Sequence, residues 1–392
     1  MKKIIIVGAG VSGLVAALNI KNDDNEVIIL EKNEIAGKKI LVSGNGRCNF
    51  LNDDFNSNHY HSVQKNNIDF LFNDKSKNRI IDFINKLGIE YKIKNGYYYP
   101  FTNKAKTIWD ALLNEINNRG IKIIYNYNVE KIEKKDLFII NDEYECDYLL
   151  LSMGSKSYVK NENSYSLVKN LGHSVTGLYP SLVQITGQGK YFKEMSGVRT
   201  DVKVGIYDNE ELVKEEYGEL HLTDYGISGI CVFNLSRYVS LLNNPVIKIN
   251  FLPFIDTNIS SYLLNRPNID IYNMLSRILN ESIVKVILKL SNIDKNKKYS
   301  ELDDKEKDLL NKYLTSFEVI PTGTKGFENS QVTAGGVNLS EVDLNTFESK
   351  IISNLYLTGE LLDIDGDCGG YNIGFAILSG LIAGDSIRGK ND

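Results

Sequence analysis

Lys3-Ile-Ile-Ile-Val-Gly-Ala-Gly-Val-Ser-Gly13 opens the chain with an unbroken β-branched run that stops at a glycine turn. Such a run reads as a strand buried on both faces of a parallel sheet. Gly8, Gly10 and Gly13 stand in G-x-G-x-x-G spacing, a helix is expected from about Ser12, and Glu26-Val-Ile-Ile-Leu-Glu31 reads as a second buried strand. Strand, turn, helix and strand together fill about thirty residues, the length of one βαβ unit. Each residue then has a mechanical task. Gly8 permits the tight turn, Gly10 lets the backbone approach a pyrophosphate at the helix N-terminus, and Gly13 allows close helix–strand packing. Glu31, 23 residues beyond Gly8, sits where a carboxylate accepts bonds from ribose hydroxyls. The competing reading is an ordinary strand–turn–helix, and the coincidence of all four features weighs against it. The start also imitates a signal peptide, but the glycines interrupt its apolar segment and no clear small-residue cleavage site follows.

Outward from this unit, residues His61 to Ile89 carry helical spacing, Trp109–Ile116 reads as a helix and Lys122–Val129 as a strand. Leu137–Leu151 reads as a hairpin running into the strand Tyr148–Ser152, and the block closes near Pro180. Residues 186–257 change to short alternating runs such as Val202–Tyr207 and Val246–Phe251, the mark of antiparallel sheet. Residues 258–315 read as helices (Tyr262–Leu264, Ile271–Leu279, Ile283–Leu290, Leu309–Leu314) and hold ten Lys and Arg against eight Asp and Glu, a net +2. Leu355–Thr358 is again a buried strand.

A length of 392 residues suits two to three domains. At 42% hydrophobic and 24% charged, the chain is neither disordered nor fibrous. A formal charge of −5 supplies no whole-chain attraction to nucleic acid or an anionic membrane. Cys48, Cys146, Cys231 and Cys368 form no C-x-x-C pair, so neither a disulfide framework nor a zinc site is expected, and the chain reads as cytoplasmic. No apolar run reaches membrane-spanning length. The acidic run Asp363 to Gly370 lacks the spacing and closing Glu of a calcium loop, so no metal is expected.

Dinucleotide binding leaves FAD and NAD open, and the C-terminal stretch decides between them. A strand ending in Thr358-Gly359-Glu360, then a glycine pair opening a late helix, would return the chain to its first domain and hold a flavin along its length. Glu360 would reach the ribityl or pyrophosphate part. Gly369, Gly370, Tyr371 and Asn372 would aim backbone N–H groups at the N1–C2=O edge of the isoalloxazine, where negative charge gathers on reduction.

Four segments carry a resemblance: Gly37-Lys-Lys-Ile-Leu-Val-Ser-Gly-Asn-Gly-Arg-Cys-Asn49, Leu222-Thr-Asp-Tyr-Gly-Ile-Ser-Gly229, Val332-Thr-Ala-Gly-Gly-Val337 and Leu362-Asp-Ile-Asp-Gly-Asp-Cys-Gly-Gly-Tyr-Asn372. With them the chain resembles the YhiN/BaiN-like, or aminoacetone-oxidase-family, flavoproteins of the glutathione-reductase-like two-dinucleotide-fold superfamily. The resemblance implies an α/β fold with a discontinuous, Rossmann-like parallel-sheet FAD domain (1–185 and 340–392), a β-barrel insert (186–257 and 316–339) and a helical insert (258–315). It implies FAD, reduction by NAD(P)H, and transfer to a C=C bond, in one branch of the family a uridine of large-subunit ribosomal RNA and in another a steroid enone. Two departures touch the acceptor: the loop Lys160-Asn-Glu-Asn-Ser164 where relatives are glycine-rich, and Gly374-Phe-Ala-Ile377 in place of a tryptophan-containing run.

Arg47, with Lys38 and Lys39, suits the pyrophosphate or a substrate anion. The cofactor set is completed by Ser12, Lys32, Ser43, Gly44, Cys48, Val129, Gly154, Asp367 and Ile373. For the proton donor, Cys48 stands ahead of Cys368, against the alternative that a buried cysteine is a small apolar filler. Tyr225 or His221 could protonate a substrate carbon, or Asp224 could merely cap their turn. Lys325 and Thr333 with Gly335 and Gly336 are expected to line the pocket; His173 and tyrosines 97–99 read as structural. The leading function is an NAD(P)H-driven reductase of a C=C bond, the favoured acceptor being ribosomal RNA, gripped by Lys285, Lys289, Lys295, Lys297 and Lys298. A small enone, an amine oxidised with oxygen as acceptor, and a non-enzymatic RNA-binding protein retaining FAD are the alternatives.

Overall fold

In the computed structural model, which describes residues 1–64, 68–158, 163–255, 259–264 and 268–390, the opening run forms a strand. It spans Lys2–Val7, and Ile4, Ile5 and Ile6 are fully buried. Asn25–Leu30 and Tyr148–Leu151 flank it in parallel, with Val27 and Tyr148 on either side of Ile4. Lys122–Ile124 and Leu355–Leu357 extend the parallel ladder, and two short antiparallel strands, Val342–Asp343 and Glu348–Ser349, finish one edge. Strands this apolar must be covered. The first helix, Val11–Ile20, packs against the C-terminal helix, Tyr371–Gly389, so closely that a Cβ on Gly380 would lie 2.5 Å from the Ser12 carbonyl oxygen.

The chain separates into two compact units, 1–179 with 332–392 and 180–331. The second is built on a seven-stranded antiparallel sheet in the order Phe317–Val319, Pro245–Asn250, Arg199–Asp208, Glu211–Thr223, Gly226–Ser228, Ile185–Gly187 and Pro321–Thr324. Its helices Glu281–Leu290 and Asp304–Thr315 bury Ile283, Ile287, Leu310 and Leu314 in the same core as the sheet residues Val204, Ile206 and Ile247. The helical segment therefore shares the sheet's core.

Several element boundaries differ from the sequence reading. His61 lies in a short strand, Tyr60–His61, and the helix that follows begins only at Asp74, where the Asn73 side chain accepts the Ser76 N–H. The strand from Lys122 stops at Ile124 because the chain turns at Asn126 with φ of +55°. Ile271–Leu275 is shorter than expected, and Ile230–Leu241, inside the stretch read as short strands, is a helix. Most of the Lys160-Asn-Glu-Asn-Ser164 loop lies outside the described residues. Among the described residues, no helix is long and apolar enough to cross a membrane.

Candidate active site

The three glycines of the first turn are glycine for different reasons. Gly8 has φ of +103°, and a Cβ there would lie 2.5 Å from the Ser152 carbonyl oxygen. At Gly13 a Cβ would stand 2.2 Å from the Gly8 carbonyl oxygen, so helix and strand touch backbone to backbone. Gly10 is unlike both. Its φ of −73° suits any residue, and a Cβ would meet nothing nearer than the Ser152 oxygen at 3.8 Å. Neither conformation nor packing asks for glycine at this position, which caps the first helix with no side chain on its orphan amides. An open cradle at a helix N-terminus fits a pyrophosphate.

Glu31 is buried and clamps this turn. Its Oε2 accepts the Ala9 N–H at 2.7 Å, and Oε1 accepts the Asn33 backbone N–H at 2.8 Å. Ala9 in turn accepts from the Gly37 N–H at 2.8 Å. Ser12 abuts Gly359, where a Cβ would lie 2.6 Å from the serine Oγ. Lys39 Nζ bonds Glu360 Oε2 at 2.7 Å and Ser157 Oγ at 2.5 Å. The other Glu360 oxygen accepts from Ser155 Oγ at 2.6 Å and the Thr333 N–H at 3.1 Å. Gly154, with φ of +71°, has open space where a Cβ would stand; Val129 is buried, and Lys32 and Lys38 are exposed.

At the other end, Asp367, Cys368, Gly369 and Gly370 lead into the C-terminal helix. Gly370 caps it at φ of +95° without a side-chain bond, and a Cβ there would lie 2.7 Å from the Leu51 N and O and from Asn49 Oδ1. The Asn49 Oδ1 atom is buried and without a partner. Asn52 Nδ2 donates to the Gly369 carbonyl at 3.0 Å. The Asn372 amide is committed to Gly366, accepting its N–H at 2.8 Å and donating to its carbonyl at 2.7 Å, so what this turn offers a ligand is backbone N–H from Tyr371, Asn372 and Ile373. The open cradle at Gly10, two helix N-termini without side-chain caps and an orphaned buried amide oxygen fit a flavin dinucleotide.

The two thiols differ. The segment Ser43–Gly46 is turned through left-handed Gly44 and Asn45, Cys48 follows with φ of +55°, and its side chain has no exposed surface. Burial pushes the Cys48 thiol up to about 11. The Cys48 thiol is thus turned into the core, whereas Cys368 is partly exposed. The expected outcome of thiol titration on the native protein is one fast-reacting thiol, lost in Cys368→Ser and retained in Cys48→Ala. A fast phase that survives Cys368→Ser would restore Cys48 to consideration. Arg47 stacks its guanidinium over Tyr99, 5.4 Å from the ring centroid. In the second unit, His221 Nε2 pairs with Glu219 Oε1 at 2.5 Å, and Lys325 Nζ sits 3.7 Å from the Tyr225 ring centroid. In the turn between Thr223 and Gly226, Thr223 Oγ1 donates to the Gly226 carbonyl at 3.0 Å. His173, read as structural, is buried between Ser349 Oγ at 2.9 Å and Glu341 Oε2 at 3.2 Å. The sequence reading passed over His59 and His61, which both bond Asp367.

Residues 2–386 match the family model described as HI0933-like protein Rossmann domain. The chain is 34% identical over 402 aligned positions to a 3-dehydro-bile acid delta(4,6)-reductase of Clostridium scindens, covering 98% of each. It is 26% identical to a ribosomal RNA dihydrouridine synthase of Haemophilus influenzae, covering 95% of each. The solved structure of a 3-ketosteroid-delta4-(5alpha)-dehydrogenase from Rhodococcus jostii RHA1 superposes with a TM-score of 0.53 at 12% identity over 99% of this chain and 97% of that one, a likeness of fold.

Proposed function

Because the chain belongs to the HI0933-like Rossmann-domain family of FAD-dependent oxidoreductases, we propose that it reduces a C=C bond conjugated to a carbonyl, with NAD(P)H as electron source and a small enone as acceptor. The observation that carries this reading is near-complete alignment with a relative whose name specifies that chemistry, on a chain whose open Gly10 cradle and uncapped C-terminal helix suit the two ends of FAD.

When bound and reduced by NAD(P)H, FAD would supply a hydride for the β-carbon of the enone. The chain's own residues do the rest. Gly8, Gly10 and the amides of the first helix hold the pyrophosphate, and Glu31 fixes the turn that presents them. Glu360 fixes Lys39 and the Thr333 backbone beside Gly359. The first-turn amides of Tyr371, Asn372 and Ile373 would stabilise anionic charge on the bound flavin. A proton must reach the α-carbon, and we assign it to Cys368, a partly exposed thiol three residues ahead of that helix. Cys368→Ala is expected to leave flavin reduction by NAD(P)H unchanged and to slow product formation about 10²-fold. Unchanged turnover would pass the role to solvent. The reaction belongs in the cytoplasm, where NAD(P)H is at hand and cysteines stay reduced.

The second reading, a uridine of ribosomal RNA as acceptor, is favoured by the dihydrouridine synthase relative, since uracil offers the same conjugated C=C–C=O group. Against it, three of the five lysines expected to grip phosphates are paired: Lys285 with Glu281 at 3.5 Å, Lys289 with Glu194 at 2.8 Å and Lys297 with Glu306 at 2.7 Å. Replacing the paired Lys285, Lys289 and Lys297 by Glu is therefore expected to change RNA affinity and its salt slope little; loss of about one unit of slope per lysine would favour RNA.

A further inference from the structure

Asp367 lies four residues ahead of the first residue of the C-terminal helix, and it is 4% exposed. A carboxylate at this pole is an awkward neighbour for an anionic ligand, because its charge opposes the partial positive charge that the helix presents there. Both of its oxygens are nevertheless occupied. His61 Nε2 bonds Oδ1 at 2.8 Å, and His59 Nδ1 bonds Oδ2 at 3.2 Å. A ring nitrogen that bonds a carboxylate donates its N–H.

The two histidines are held on a rigid mount. Tyr60–His61 pairs antiparallel with Asp365–Gly366, the Asp367 N–H donates to the His59 carbonyl at 2.9 Å, and Tyr60 Oη donates to the Tyr371 carbonyl at 2.9 Å. The His59 ring stacks on Tyr371, centroids 4.5 Å apart and planes within 15°. Its other nitrogen bonds Asp54 Oδ2 at 2.8 Å. Nothing in the sequence joins these residues, which are separated by 306 and 308 positions from Asp367.

We propose that His59 and His61 are positioning residues for the flavin, screening the Asp367 carboxylate by N–H donation so that the N-terminus of the C-terminal helix keeps its positive field for the charge-bearing edge of the isoalloxazine. This rests on the reading of that helix end as the flavin site. Hydrogen bonding to Asp367 is the largest influence raising His59 above the ordinary histidine range, with Asp54 adding to it, which favours the protonated ring. Without the two donors, the charge of the buried Asp367 carboxylate would be less well screened and would oppose negative charge on the ring.

Sulfite tests this without turnover, since its adduct with oxidised flavin places negative charge on the same edge and is read by loss of the visible band. On the flavin-loaded protein, His61→Leu is expected to raise the sulfite Kd about tenfold or more, while His61→Gln, which keeps an N–H at similar reach, stays within about threefold of wild type. Should His61→Leu fail to fold, His59→Leu against His59→Asn makes the same comparison on a side chain that is 27% exposed. Wild-type sulfite affinity in the leucine variants overturns the proposal, as does a glutamine variant as weak as the leucine one, because the site would then respond to shape and not to the donor. Wild-type protein that cannot be loaded with flavin overturns the flavin reading itself and takes this inference with it.

Discussion

Gly10→Val yields a folded, colourless protein. A valine at this position meets no protein atom nearer than the Ser152 carbonyl oxygen at 3.8 Å from its Cβ, and its φ of −73° is ordinary for a branched residue, so the sheet and first helix have no reason to rearrange. What the side chain fills is the space over the first helix's orphan amides, which a pyrophosphate needs. FAD affinity is expected to fall by about 10³-fold or more, equivalent to about 4 kcal/mol, with the thermal midpoint of the apoprotein unchanged. Gly13→Val is the contrasting case. Its Cβ would stand 2.2 Å from the Gly8 carbonyl oxygen and 2.4 Å from Ser152 Oγ, so the fold itself fails, by about 3 kcal/mol or more. Circular dichroism melting and flavin absorbance on both variants separate the two effects. A Gly10→Val protein that stays yellow would contradict the cradle.

Gly370→Ala is expected to be nearly as damaging, at the other end of the flavin. An alanine there must adopt φ of +95° and bring its Cβ to 2.7 Å from the Leu51 backbone N and O, neither of which can step aside without disturbing the strand pair Leu51–Asn52 with Tyr97–Pro100. Left-handed strain alone costs about 1–2 kcal/mol. The larger consequence is displacement of the amides of Tyr371, Asn372 and Ile373, and the expected result is weakened FAD retention, about 10²-fold, with a shifted visible spectrum. Wild-type flavin retention and spectrum would show that this helix end does not hold the ring.

Much of the first unit is legible because its constraints are local. Gly8 and Gly370 are positions where a left-handed turn and a close approach fall together, Gly13 is one of close approach alone, and such positions leave a spacing in the sequence. The parallel strands are legible because burial on two faces leaves no polar alternation. The helix Ile230–Leu241 is not, since β-branched and aromatic residues such as Ile230, Val232, Phe233, Tyr238 and Val239 favour a strand locally and become helical only by packing Cys231, Val232 and Leu235 into the second unit's core. The partners of the charged residues are not legible either: Lys39 pairs with Glu360 and Arg47 lies over Tyr99, neither of them a sequence neighbour. The Asp367 pair with His59 and His61 leaves no spacing to read at all, and Cys48 looks reachable in a glycine loop until the left-handed turn carries its thiol into the core.

The most direct measurement is an anaerobic single-turnover experiment on the flavin-loaded protein, reduced with one equivalent of NAD(P)H and mixed with a 3-oxo-4-ene steroid. The expected result is reoxidation of the flavin at a rate that depends on the enone, with a product two mass units heavier in stoichiometric yield. Flavin that stays reduced until oxygen is admitted, with hydrogen peroxide matching the electrons lost and no saturated product from either the enone or a uridine-containing RNA, would contradict C=C reduction and leave an oxidase.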